Sequence, residues 1–199
     1  MGAKRLSRFN DGLEWGMFGL AALCLVYYSF EQEWAKILEA VLILAVLLGI
    51  RLVVKVTKAV LFPLLRLSIL LFITLTMFIA NMFGMYGVIP HLDDVEHLAS
   101  GIILGFVGLL VFRQVSKEAS PLNGRFGLLP VWFSWFFAIA MAGFWEIYEF
   151  TTDALLGMNS QGGGLDDTMI DMICGSIGAS IAAVYLRTQA KRDKLPPRS

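Results

Sequence analysis

The sequence predicts an all-α polytopic integral membrane protein, a six-helix bundle forming a single membrane domain over residues 1–199. Two observations carry that expectation. The composition is 57% apolar and only 16% charged, with a mean hydropathy of +0.71, whereas soluble chains run roughly 45–50% apolar and about 25% charged. The apolar residues also gather into six runs of the length a helix needs to cross a bilayer, about 20 residues at 1.5 Å each. The same balance excludes a disordered chain, a coiled coil, a disulfide scaffold and a nucleic-acid-binding module. The expected surroundings are therefore a lipid bilayer, with no nucleic-acid partner.

The first run, residues 13–30, follows Lys4, Arg5 and Arg8 and is followed by Glu31, Gln32 and Glu33. No small-residue cleavage site comes after Phe30, so this is a retained helix and not a cleaved signal peptide. The second and third runs cover 36–54 and 60–83, the fourth 97–113. The fifth, 127–150, opens on Trp132, Phe133, Trp135, Phe136 and Phe137 and closes on Trp145 and Tyr148, as interfacial aromatic belts do. The sixth covers 168–187. Short connections make consecutive helices antiparallel neighbours, and neither a soluble domain nor an internal repeat is visible. Cys24 and Cys174 both lie in apolar runs, where a thiol behaves as a small hydrophobe.

Lys and Arg in short loops fix orientation, because cationic segments resist translocation. Fifteen of the 16 fall on one side: Lys4, Arg5, Arg8, Arg51, Lys55, Lys58, Arg66, Arg113, Lys117, Arg125, Arg187, Lys191, Arg192, Lys194 and Arg198. Only Lys36 falls on the other. Both termini are then cytoplasmic in a plasma (inner) membrane, and Arg66, just inside the third run, is expected to snorkel to the cytoplasmic headgroups. Twelve of the 16 acids sit on or near the outer side. The positive-inside rule does not require that excess, so it needs its own cause.

Nine of the twelve acids fall in three stretches that the topology brings to one surface. His91-Leu92-Asp93-Asp94-Val95-Glu96-His97 enters the fourth run, Glu146-Ile147-Tyr148-Glu149 with Asp153 ends the fifth, and Asp166-Asp167-Thr168-Met169-Ile170-Asp171 opens the sixth. Helical spacing puts Asp93 with His97, Glu146 with Glu149, and Asp167 with Asp171, each pair on one face. Small residues let helix backbones approach in lipid. Gly101, Gly105 and Gly108, then Ala138, Ala142 and Gly143, then Gly175, Gly178 and Ala179 supply them on all three runs. Five carboxylates facing each other do not all stay ionised without protons or a cation to neutralise them.

Helix capping is the competing account of Asp93, Asp94, Glu96, Asp166 and Asp167, since acids suit the start of a helix. It does not explain Glu146 and Glu149, which end one, or Asp171, a full turn into an apolar run. The metal-ligand candidates are therefore Asp93, His97, Glu146, Glu149, Asp167 and Asp171, with Asp171, Glu146 and His97 as candidate catalytic groups. One imidazole among carboxylates suits a divalent cation of the Mg, Mn, Ca or Zn kind. His91 reads as a solvated loop residue. The loop Gly157-Met158-Asn159-Ser160-Gln161-Gly162-Gly163-Gly164 is a connector that could serve as a lid or a phosphate cradle.

Over about residues 90–185 the sequence resembles the YjdF-like inner-membrane proteins, a family of unknown function, and more distantly the VanZ-like membrane proteins. The resemblance rests on Asp93-x-x-x-His97-x-x-x-Gly101, on Glu146-Ile147-Tyr148-Glu149-Phe150, and on Asp167-Thr168-x-x-Asp171-Met172. It departs at Met169, where the family commonly has Gln, and at Phe150, where it commonly has Trp. The resemblance implies that the acid and histidine positions belong together, and it implies no reaction. From the residues, the leading expectation is a metal-assisted hydrolase or transferase acting on a lipid or lipid-linked substrate. The alternatives are a cation or proton-coupled transporter and a non-catalytic subunit with a structural metal.

Overall fold

In the computed structural model, residues 2–116, 127–156, 161–162, 164–192 and 195 are described. The elements among them are helical, without strands: α1 (Ala3–Glu31), α2 (Trp34–Thr57), α3 (Pro63–Ile73), α4 (Leu92–Ser116), α5 (Leu129–Leu156) and α6 (Leu165–Ala190). A π-helical segment, Thr74–Met82, continues α3 without a break. With that continuation counted, six helices are long and apolar enough to cross a membrane.

Every helix but the third is longer than its apolar run, α1 by ten residues at its start and α4 by five. Hydropathy marks where side chains turn polar, whereas the i to i−4 backbone ladder continues past that point. Local chemistry sets several ends. Pro63 occupies the first turn of α3, where its missing N–H goes unneeded. Gln32 and Lys58 close α1 and α2 in the left-handed conformation. Gly164 precedes α6 at φ 67° and ψ −139°, backbone that favours glycine, so the glycine run has a definite use at its last residue.

The chain divides into two compact units, Met1–Pro90 and His91–Arg198. In the first, Met17, Ala21 and Cys24 of α1 pack with Ile43 and Leu47 of α2 and with Leu70, Phe78 and Met82. An ionic cluster sits at one end of this unit. Glu14, buried in α1, accepts hydrogen bonds from Arg51 of α2 and Arg66 of α3, and Arg66 also pairs with Asp11 at 2.6 Å. The Arg51 guanidinium lies over the Trp15 and Phe18 rings, 4.5 and 4.9 Å from their centroids. Arg66 is thus paired with two carboxylates one turn apart on α1 and stays 27% exposed. At the other end Lys36 bonds to Glu39 at 2.9 Å and to the carbonyl of Asn81 at 2.8 Å, covering the end of the π-helical segment.

In the second unit α4 and α6 share the largest interface, and α5 packs on both. Glycines set the separation. A Cβ at Gly101 would overlap the carbonyl oxygen of Gly175, and one at Gly178 would overlap that of Leu98. At Gly105 it would lie 2.5 Å from the Ala182 methyl, and at Gly108 2.9 Å from the Ser134 Cα. On α5 it is Ala138 and Ala142 that are buried. Gly143, expected beside them, has only the Met172 Cε at 3.8 Å, because it turns away from the seam.

Candidate metal centre

The close approach of α4 and α6 has a direct consequence one turn further along. His97 precedes Gly101 by four residues, and Asp171 precedes Gly175 by four, so the two polar side chains emerge side by side where the glycine seam ends. His97 Nε2 lies 3.8 Å from Asp171 Oδ1 and 3.6 Å from Asp93 Oδ1. Ligand atoms of Asp93, His97 and Asp171 all lie within 4.8 Å of one another, the arrangement of a group able to hold a metal ion. α5 supplies Glu146, whose Oε1 is 3.9 Å from the opposite ring nitrogen, Nδ1.

Burial separates these acids. Asp171 is 1% exposed and Glu146 5%; among the described residues neither Asp171 oxygen has a hydrogen-bond partner, and Glu146 has at most the Thr168 hydroxyl beside it. His97 is buried as well, whereas the Asp93 side chain is 38% exposed. A buried polar group without a partner carries its full desolvation cost. Two buried carboxylates around one imidazole are arranged for a positive charge.

The other predicted residues are not among the three close ligand atoms but lie near enough to interact with them electrostatically. Glu149 is half-buried and accepts a hydrogen bond from Trp145 Nε1 at 2.8 Å. Asp167 is half-exposed in the first turn of α6, beside Thr168, which accepts a 2.6 Å hydrogen bond from the Gln161 amide. The helix-start account holds for four of its five acids, since Asp93 and Asp94 lie in the first turn of α4 and Asp166 and Asp167 in that of α6. Asp166 and Asp167 follow the Gly164 N-cap and favour the dipole from the first turn, and no side chain caps α6. Asp94 pairs with the exposed His91 at 2.8 Å, and Glu96, expected as a capping residue, is buried. A buried acid between Asp93 and His97 was visible in the helical spacing and was passed over. Of the Gly157–Gly164 loop, residues 157–160 and 163 lie outside the described residues, and with them any lid or phosphate cradle.

A family model described as a predicted membrane protein (DUF2238) matches residues 13–192, reaching into all six helices and covering every residue of the candidate metal centre. The chain belongs to this family. No curated protein and no solved structure matches it. Membership in DUF2238 agrees with the apolar helices and leaves function to be argued from the site.

Proposed function

We propose that this DUF2238 protein is a multi-pass plasma-membrane protein with cytoplasmic termini. At its extracytoplasmic side Asp93, His97 and Asp171 bind one divalent metal cation, used in hydrolysis or transfer at the headgroup of a lipid or lipid-linked substrate. The observation that carries the reading is Asp171, fully buried with both oxygens unpartnered and 3.8 Å from the imidazole. Fold alone assigns no reaction.

Ligand type narrows the ion. An imidazole with two carboxylates suits zinc or manganese better than calcium or magnesium, which take all-oxygen sets. Three protein ligands leave a coordination position open, the mark of a working site more than of a closed structural one. There the cation would polarise a phosphoryl or ester oxygen and activate a bound water. Glu149 and Asp167 are the nearby acids available to take the proton. The resemblance to YjdF-like proteins over about residues 90–185 lies inside the family match and supports treating these residues as one set.

The transporter alternative is weaker because the α4–α6 seam offers no space directly beneath the site. Immediately below His97 and Asp171 the α4 and α6 backbones touch at Gly101 and Gly175.

Elemental analysis of detergent-purified protein tests the reading, with Asp171→Asn alongside. Near-stoichiometric zinc or manganese in the wild type, lost in the variant, is expected, and release of phosphate from lipid-phosphate vesicles should follow the metal. A wild-type protein that takes up no divalent ion when supplied with it would overturn the reading and leave protons as the neutralising charge.

A further inference from the structure

The imidazole of His97 faces acids on both edges, and the two edges differ. Nε2 looks toward Asp93 and Asp171, at 3.6 and 3.8 Å, one on its own helix and one on α6. Nδ1 looks toward Glu146 alone of the three, from α5, at 3.9 Å. A single cation cannot use both ring nitrogens, since their lone pairs diverge in the plane of the ring. If the cation sits at Nε2, where two further ligand atoms converge, Nδ1 must carry the proton, and the group in front of it is a buried carboxylate.

We infer that Glu146 is a positioning residue and not a ligand: it accepts the Nδ1–H of His97, fixing the tautomer that presents Nε2 to the cation. The inference rests on the metal reading given above and divides its acids by role. Ligating histidines commonly hand their second N–H to such a partner, which orients the ring and makes its other nitrogen a better donor. The arrangement accounts for two otherwise costly facts together. Glu146 is buried with at most the Thr168 hydroxyl beside it, and it approaches the ring at Nδ1, where Asp93 and Asp171 approach it at Nε2. A 3.9 Å separation is too long for a hydrogen bond, and cation binding that draws the ring into line would shorten it.

Each helix of this unit then has a distinct part. α4 supplies an imidazole and an accessible carboxylate, α6 a fully buried carboxylate, and α5 the group that keeps the imidazole in its working state.

Cobalt(II) titration of the full-length protein in detergent tests this, because the visible spectrum of bound cobalt reports its ligands. Wild type, Glu146→Gln, Glu146→Asp and Asp171→Asn are compared. The inference expects Glu146→Gln to bind one equivalent with an unchanged absorption envelope and about 10–100-fold weaker affinity, Glu146→Asp to recover part of that loss, and Asp171→Asn to bind none. Absent cobalt uptake or an altered spectrum in Glu146→Gln would make Glu146 a ligand and overturn the inference with the metal reading intact. Unchanged affinity in Glu146→Gln would overturn it equally. A wild-type protein that binds no cobalt would overturn the metal reading itself. Should Glu146→Gln fail to fold, Glu146→Asp decides alone: an unchanged spectrum with weakened affinity supports positioning, and a changed spectrum overturns it.

Discussion

Gly101 of α4 lies against the carbonyl oxygen of Gly175 of α6 so closely that neither helix has room for a side chain there. In lipid, apolar surface gives no hydrophobic drive for helices to associate, so this close packing is itself the attraction. It also fixes the depth at which His97 and Asp171 meet.

Gly101→Ala should therefore damage the protein out of proportion to one methyl group. The obstacle is backbone, which does not swing aside, and overpacking of this kind costs about 1–3 kcal/mol or more. Gly143→Ala, with only a flexible methionine tip at 3.8 Å, should stay within about 0.5 kcal/mol of the wild type. Thermal unfolding in detergent compares the two. Equal losses would mean that the seam does not hold the unit together.

The Asp171 carboxylate should make stability depend on metal. Anything that binds the folded state alone stabilises it by mass action, by roughly 2.7 kcal/mol at a hundred times Kd. Zinc or manganese should raise the unfolding temperature of the wild type and leave that of Asp171→Asn unmoved. Without metal the two should differ little, because a proton then neutralises the buried carboxyl and Asn keeps its shape. A variant less stable than the wild type under both conditions would make the carboxylate an ordinary structural group.

The membrane helices and the glycine seam were legible in the sequence, because both follow from local composition and from spacing along one helix. The convergence of Asp93, His97 and Asp171 followed from spacing plus antiparallel order. The separation of Asp171 from Asp167 was legible, since capping accounts for the second and not the first; that the close triad takes in Asp93 and leaves Asp167 half-exposed was not, because it depends on where Gly164 starts α6. The cluster at Glu14 was missed for a different reason. Its partners Arg51 and Arg66 are 37 and 52 residues away, and the positive-inside count treats Arg51 as part of a connection and sends Arg66 toward the headgroups. The available signal was Glu14 itself, one turn after the buried Asn10 near the start of an apolar run, where an acid calls for a partner.

That cluster should behave as a unit. Glu14 joins two arginines from different helices, and removing one member of a buried pair strands the other, at about 3–5 kcal/mol when burial is complete. Partial exposure of both arginines screens the charge and brings Glu14→Leu toward the lower end of that range. The double variant Glu14→Leu/Arg66→Leu should lose less than the sum of the two single changes, because the second removes a charge that the first had stranded. Additive losses in a thermal double-mutant cycle would show that the two side chains contribute separately.

Orientation is the remaining consequence, and it decides which compartment the metal centre meets. By the positive-inside rule the end of the second unit that carries Lys191 should lie in the cytoplasm, and the opposite end, carrying Asp166, should face outward. Both positions are exposed, which suits them to labelling. In a chain with Cys24 and Cys174 replaced, Asp166→Cys and Glu31→Cys should react with a membrane-impermeant maleimide on intact spheroplasts. Lys191→Cys should react only after the membrane is opened. The reverse pattern would put the site on the cytoplasmic face, and its substrate would then be sought among inner-leaflet headgroups with the same ligands and the same metal.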